Sequence, residues 1–342
     1  MVNSKIKLHL FFLYVIFLIL ASCNDDRLNV KLNNENKVEL KIKRLDRDLF
    51  EVNEKNYLQK SNELNKKYNL FYETFTNEIL NPGDVTDSVK KAVLAFVNYP
   101  EMKIMHRDVQ NTFTDEVISE KENELNKAFA YFKYHFPDKK IPDQIITFES
   151  GFNYNITTIH STLGIGLEMY LGEKNKFYEM LQWPKYKVSQ LRSEYIVPDA
   201  MKGWLLNQFD TKVPMNNLLD YMVYYGKFLY CLDAVLPEYN DSVKIGYTST
   251  QINYCNKFEK KIWAYFTEKD RLYKNDIKHV NEYISEGPFT SAISKECPPR
   301  IAMWVGWQLV RNFMNKNEDI NLNELMNSTP AQKILNQSKY KP

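Results

Sequence analysis

The sequence predicts an α+β protein, predominantly α-helical with a small antiparallel sheet, exported and held at a membrane by lipid. Three observations predict it. Apolar residues recur at three- and four-residue spacing through most of the chain, the signature of helices with one buried face. A single interval, 145–172, breaks that rhythm with β-branched and glycine-rich runs. Ahead of both, Lys5 and Lys7 precede an uncharged run, 10–21, that is shorter than the roughly 20 residues needed to span a bilayer.

That leader ends in Leu20-Ala21-Ser22-Cys23, which resembles the bacterial lipobox. Two small residues let a peptidase reach the backbone, and the Cys23 thiol is the group there able to carry a thioether-linked lipid. Residues 1–22 are therefore expected to be a lipoprotein signal peptide, residues 23–36 a lipidated, asparagine-rich tether, and 37–342 one globular body, helical to about 140. Each buried methylene contributes about 0.8 kcal/mol, so two or more palmitate-like chains make a stable anchor. The expected location is the cell envelope, facing the periplasm or the cell surface. With Lys5 and Lys7 removed, the chain's 45 basic and 43 acidic residues balance, which argues against nucleic acid as a partner. Twenty Phe and 23 Tyr supply a large interior. Cys231, Cys255 and Cys297 include no CxxC pair; Cys231 and Cys255 fall within helical patterns, where a lone cysteine is usually a small buried hydrophobe, one disulfide in the exported compartment being the alternative.

In chain order, Val38, Leu40 and Ile42 alternate with Glu39, Lys41 and Lys43 as a half-buried strand does. Amphipathic helices are expected over 54–80, 86–98 and 102–136, the first stopped by Asn81-Pro82-Gly83-Asp84. Strands are expected at 145–148, 155–160 and 163–172, with Glu149-Ser150-Gly151-Phe152-Asn153 as the first turn. The aromatics of 177–195 are expected to pin a loop onto the core, or else to grip a ligand. Helices follow from Asp199 to about Phe209, over 216–236, from a Thr248/Gln251 capping box to Lys269, and over 300–315 behind Pro298-Pro299. The last is apolar around its circumference, so Arg300 and Arg311 must find carboxylates or carbonyls.

Catalytic patterns are absent from the sequence: there is no HExxH, GxSxG, Walker A, GxGxxG or EF-hand. Several stretches together resemble the GldB family of gliding-motility lipoproteins. They are the lipobox, 147–153, 163–172, Tyr225-Gly226-Lys227, 262–266, Glu286-Gly287-Pro288-Phe289-Thr290, 300–311 and 338–342. The resemblance implies an anchored accessory protein of the gliding apparatus and its associated secretion machinery, with envelope proteins as partners and no established reaction or cofactor.

A structural analogy goes further. Sheet, long buried helix, second helix is the order of zinc metallopeptidases of the HExxH…Glu type. Set against that pattern, Gly226 and Tyr230 replace the histidines, Lys227 replaces the catalytic glutamate, and Glu259 alone keeps a ligand's chemistry. The expected cleft gathers Glu149, Asn153, His160, Glu168, Lys227, Tyr230 and Glu259, with no catalytic residue, no metal and no cofactor assigned. The leading functional expectation is a non-enzymatic interaction protein. The alternatives are a degenerate hydrolase, with Glu149, His160 and Glu168 as its candidate groups, and a ligand-binding lipoprotein.

Overall fold

A computed structural model describes residues 27–28, 30–80, 88–209 and 215–342. The leader, Cys23 and the stop at 81–84 lie outside the described residues. The first strand, β1, is Ile42–Arg44. It starts later than the alternation at Val38 suggests, because α-helical side chains take the preceding backbone. Asn126 bonds both the N–H and the carbonyl of Leu40, and Glu122 accepts from the Ile42 N–H at 2.9 Å.

The helices of the first half are α1 (Tyr57–Tyr68), α2 (Ser88–Asn98), α3 (Pro100–Thr112) and α4 (Asp115–His135). The long helix expected to Leu80 is broken at Asn69, whose φ of 49° turns the chain before a further helical piece, Leu70–Thr74. The one expected over 102–136 divides at Phe113, which leaves helical geometry to bury its ring completely. Tertiary burial overrides local periodicity at that point.

Strands β2 (Gln144–Phe148), β3 (Ile156–Ile159) and β4 (Thr162–Gly166) complete a four-stranded sheet of order β1-β2-β4-β3. The antiparallel expectation holds for the β3–β4 hairpin alone. β1 and β2 are parallel, as are β2 and β4. Burial explains the order. All five residues of β4 are buried, as suits a central strand, while the half-buried Ile156-Thr157-Thr158-Ile159 takes an edge. The expected third strand stops at Gly166 instead of Gly172. Leu167–Tyr170 winds into a 3₁₀ turn because the Glu168 carboxylate is captured by Ser150 N, Ser150 Oγ and Phe152 N, at 2.6, 2.7 and 3.1 Å. Gly166 permits this closure, since a Cβ there would lie 2.0 Å from the Tyr154 carbonyl oxygen.

The second half comprises α5 (Ile196–Gln208), α6 (Leu218–Val235), α7 (Ser249–Thr267), α8 (Ile277–Ile284), α9 (Ile301–Lys316), α10 (Leu322–Ser328) and α11 (Ala331–Ser338). The expected capping box opens α7, with Gln251 N bonded to Thr248 Oγ1 and Thr248 N to Gln251 Oε1. The centre of this half is the crossing of α6 and α9. Arg311 on α9 finds its carboxylates in Asp233 and Asp241, and Arg300 finds the carbonyls of Ile245 and Gly246. The three described cysteines are free and buried. Residues Leu32–Pro342 form one compact unit. Among the described residues no helix is long and apolar enough to cross a membrane.

Candidate functional site

Parallel strands β2 and β4 end side by side at Phe148 and Gly166, and the loops that follow them diverge. In open sheets with parallel strands, that carboxyl edge is where ligands settle. Here it opens into a polar pocket of about 320 Å³. The turn after β2 supplies Phe152, Asn153 and Asn155, and the 3₁₀ turn after β4 supplies Met169. Tyr186, Lys187 and Gln190 come from the aromatic loop. Helix α5 adds Asp199 and Lys202, the segment after α8 adds Glu286 and Gly287, and the entry to α9 adds Pro299 and Arg300.

Each wall is braced from behind. The Glu149–Asn153 turn places two successive residues, Gly151 and Phe152, at φ of 69° and 70°, a conformation that the three Glu168 bonds hold. The aromatic loop is pinned as expected. Tyr178 donates to the Glu168 carbonyl, accepts from Leu171 N, and stacks on Trp183 at 5.6 Å. The entry to α9 is fixed by Tyr247, which donates to the Pro299 carbonyl at 2.5 Å, and by Thr290, which donates to that of Pro298 at 2.6 Å. Arg300 sits there as N-cap with a φ of 56°, a backbone state uncommon outside glycine and maintained by those flanking bonds.

The electrostatics are unusual for so enclosed a space. Arg300 is 6 % exposed; its Nη2 bonds the Ile245 carbonyl at 3.0 Å, yet its Nε, also buried, has no partner among the described residues. Lys202 reaches solvent through the pocket but makes no hydrogen bond within the described residues, although Asp199, Glu286 and Arg300 all act on its charge. Burial first, and the Arg300 guanidinium second, push its ammonium below the ordinary lysine range. Asp199 accepts from the Tyr170 hydroxyl at 2.9 Å, and burial raises its carboxyl above the usual range. Two cations thus stand incompletely answered beside side-chain amides that can both donate and accept. That arrangement can hold an anionic group and the polar backbone attached to it.

A small apolar slot of about 30 Å³ adjoins the pocket and shares Lys202 and Arg300 with it. A third cavity, of about 310 Å³, lies elsewhere, lined by Phe209, Val223, Tyr224, Lys227 and Pro330 among others.

The seven residues of the expected cleft do not meet in one place. Asn153 is on the pocket rim. Glu149 and Glu168 lie fully buried, where Glu149 faces His106. His160 is exposed at the far end of the β3–β4 hairpin, roughly 15 Å along the strands from the turn at 149–153. Lys227 donates to the Thr329 carbonyl at 2.6 Å in the third cavity, Tyr230 is buried, and Glu259 accepts from the Tyr340 hydroxyl at 2.6 Å. The metallopeptidase alignment fails on placement as well. The helix that packs on β3 and β4 is α5, not α6, and Gly226 faces Gly306 of α9. No group of three or more His, Cys, Asp or Glu among the described residues is arranged to hold a metal ion.

The sequence reading passed over Asp199 and Lys202. The available signal was two charges three residues apart on a helix whose neighbours Val197, Ala200, Met201 and Trp204 are all apolar.

A family model described as gliding motility protein GldB matches residues 25–342. No curated protein and no solved structure matches the chain.

Proposed function

The chain belongs to the GldB family of gliding motility proteins, and on that premise we propose that it serves gliding, and the secretion machinery tied to it, as a lipid-anchored binding protein rather than as a catalyst. Lipid at Cys23 tethers the folded body to a membrane of the envelope, on a side facing the periplasm or the cell surface. The family's lipoprotein designation and the lipobox support that anchoring. The body then engages another envelope protein.

One observation carries the binding role. Four of the stretches behind the family resemblance, 147–153, 163–172, 286–290 and 300–311, are distant in sequence yet all contribute to the same pocket. Their shared product is a rigid receptor surface whose polar groups are set by buried partners. Preorganisation of that kind lowers the cost of binding.

The test is made in cells lacking the chromosomal copy. Cys23→Ala protein is expected in the soluble fraction, without incorporated palmitate, in cells that do not spread. A photo-crosslinking residue in place of Tyr186, on the pocket wall, is expected to capture a defined envelope protein. Normal spreading with the Cys23→Ala protein would sink the anchoring, and an empty crosslink at Tyr186 in gliding cells would sink the binding role.

A further inference from the structure

We propose that the pocket at the carboxyl ends of β2 and β4 receives the C-terminal carboxylate of a polypeptide, held by Arg300 and Lys202. The inference rests on the reading of this protein as a binding protein, and names what that pocket binds. Its starting point is the buried Arg300 Nε, an N–H donor without a partner among the described residues. A donor buried in that state is costly unless something accepts from it. Nη2 of the same guanidinium is already committed to the Ile245 carbonyl, which fixes the plane of the group. Lys202, with no hydrogen bond of its own within the described residues, lines the same wall. An acceptor lying against Nε and reaching the Lys202 ammonium answers both.

The rest of the wall selects the class of anion. Asp199 and Glu286 stand beside the cations, so a doubly charged phosphate meets repulsion that a single carboxylate largely escapes. Asn153, Asn155 and Gln190 offer amides that pair with both the N–H and the carbonyl of a peptide backbone. The slot beyond Lys202 and Arg300, apolar and about 30 Å³, admits little more than a methyl group, so the terminal side chain is small. A polypeptide ending in alanine satisfies all three features. A volume of about 320 Å³ lies at the lower end of ligand pockets and suits two or three terminal residues.

The purified full chain is titrated calorimetrically with N-acetyl-trialanine, its C-terminal carboxamide, sodium acetate and inorganic phosphate. The expected result is saturable binding of the free acid, with the carboxamide and acetate each weaker by at least tenfold and phosphate a poor competitor. Arg300→Gln and Lys202→Met should each lose tenfold or more. Should Arg300→Gln fail to fold, Lys202→Met carries the test, because removing a half-buried cation that makes no hydrogen bond within the described residues is expected to leave the melting temperature unchanged or higher. No binding of the free acid at about 10 mM, equal binding of carboxamide or acetate, tighter phosphate, or an unaltered Lys202→Met affinity overturns the proposal. Motility is not read in this experiment, so failure here leaves the anchored binding role standing, and failure of spreading tests leaves this pocket's chemistry standing.

Discussion

Glu149 Oε1 lies 2.9 Å from His106 Nδ1, and both groups are displaced away from their charged forms. Burial, then the negative charges of Asp46 and Glu168, push the Glu149 carboxyl well above its usual range. Burial, on the face where His106 stacks on Phe50 at 3.9 Å, pushes the imidazole down. A protonated Glu149 donating to Nδ1 of neutral His106 satisfies both shifts, and leaves the carbonyl-like Oε2 as the atom without a partner among the described residues.

The Glu149 carboxyl makes its own contribution to stability depend on pH with a definite sign, opposite to that of the lowered His106 imidazole. Unfolded, Glu149 releases its proton near pH 4.3; folded, it keeps the proton to higher pH. Between those limits the native state binds more protons, so stability falls as pH rises, by about 1.4 kcal/mol per pH unit for one group. Glu149→Gln keeps the shape and a neutral hydrogen bond, and so removes that slope. Its melting temperature should match the natural protein's near pH 4 and exceed it by a growing margin above. Parallel melting curves from pH 4 to 8 would show that Glu149 is ionised in the fold.

Lys227 predicts the opposite slope at alkaline pH. Burial lowers its ammonium to about 8, against about 10.4 for an unfolded lysine. Below pH 8 both states are charged and the burial penalty is fully felt. From pH 8 to about 10.4 the native state sheds a proton that the unfolded chain retains, so stability should rise, by about 3 kcal/mol. Burial shifts Lys202 in the same direction, so part of the rise persists without Lys227. Denaturant titrations at pH 7.5 and 10 should show a smaller rise for Lys227→Met than for the natural chain.

Gly226 and Gly306 define how close α6 and α9 approach. A Cβ on Gly306 would stand 1.8 Å from the Met222 carbonyl oxygen, and one on Gly226 would stand 2.3 Å from the Gly306 carbonyl carbon. Backbones that touch cannot make room without separating two helices whose facing residues are fully buried. Gly306→Ala is expected to cost about 3 kcal/mol in urea unfolding, at the upper end of overpacking effects, and Gly226→Ala a similar amount. A loss below about 1 kcal/mol at both positions would mean that the two helix backbones can separate at little cost. The contact also explains why Gly226 is no remnant of a metal ligand.

What the sequence disclosed, and what it withheld, follows from the range of the forces involved. The Thr248 capping box, the pinned aromatic loop and the need of Arg311 for carboxylates are consequences of a residue and its near neighbours, and all were legible. The parallel pairing of β2 with β4 depends on which strand is buried on both sides, a property of the assembled core. The helix break at Phe113 has the same origin. The pocket was the least legible element. Its walls come from six separated segments, and Asp199 and Lys202 look like a routine helical pair until Arg300, about 100 residues on, is brought beside them.

The buried cluster around Asp233 gives the strongest stability prediction. Its carboxylate accepts four hydrogen bonds: from Lys244 Nζ at 2.9 Å, and from Trp307 Nε1, Arg311 Nε and Arg311 Nη2 at 2.8 Å each. Asp241 takes the other side of the guanidinium but is far more exposed, with 41 % of its side chain accessible against 7 % for Asp233. Asp233→Ala leaves the buried Lys244 ammonium and Trp307 indole N–H without their acceptor and the half-buried Arg311 to Asp241, so a loss of about 3–5 kcal/mol is expected. Asp241→Ala should cost no more than about 1 kcal/mol, since solvent already screens that side. The double variant Asp233→Ala/Arg311→Met also removes the guanidinium that has lost its buried acceptor and is left to the more exposed Asp241, and should be more stable than Asp233→Ala alone. Urea unfolding of the four proteins completes the comparison. If the double variant is the weaker, Arg311 stabilises the crossing through its packing on the Trp307 ring, 3.8 Å from the guanidinium carbon, rather than through charge.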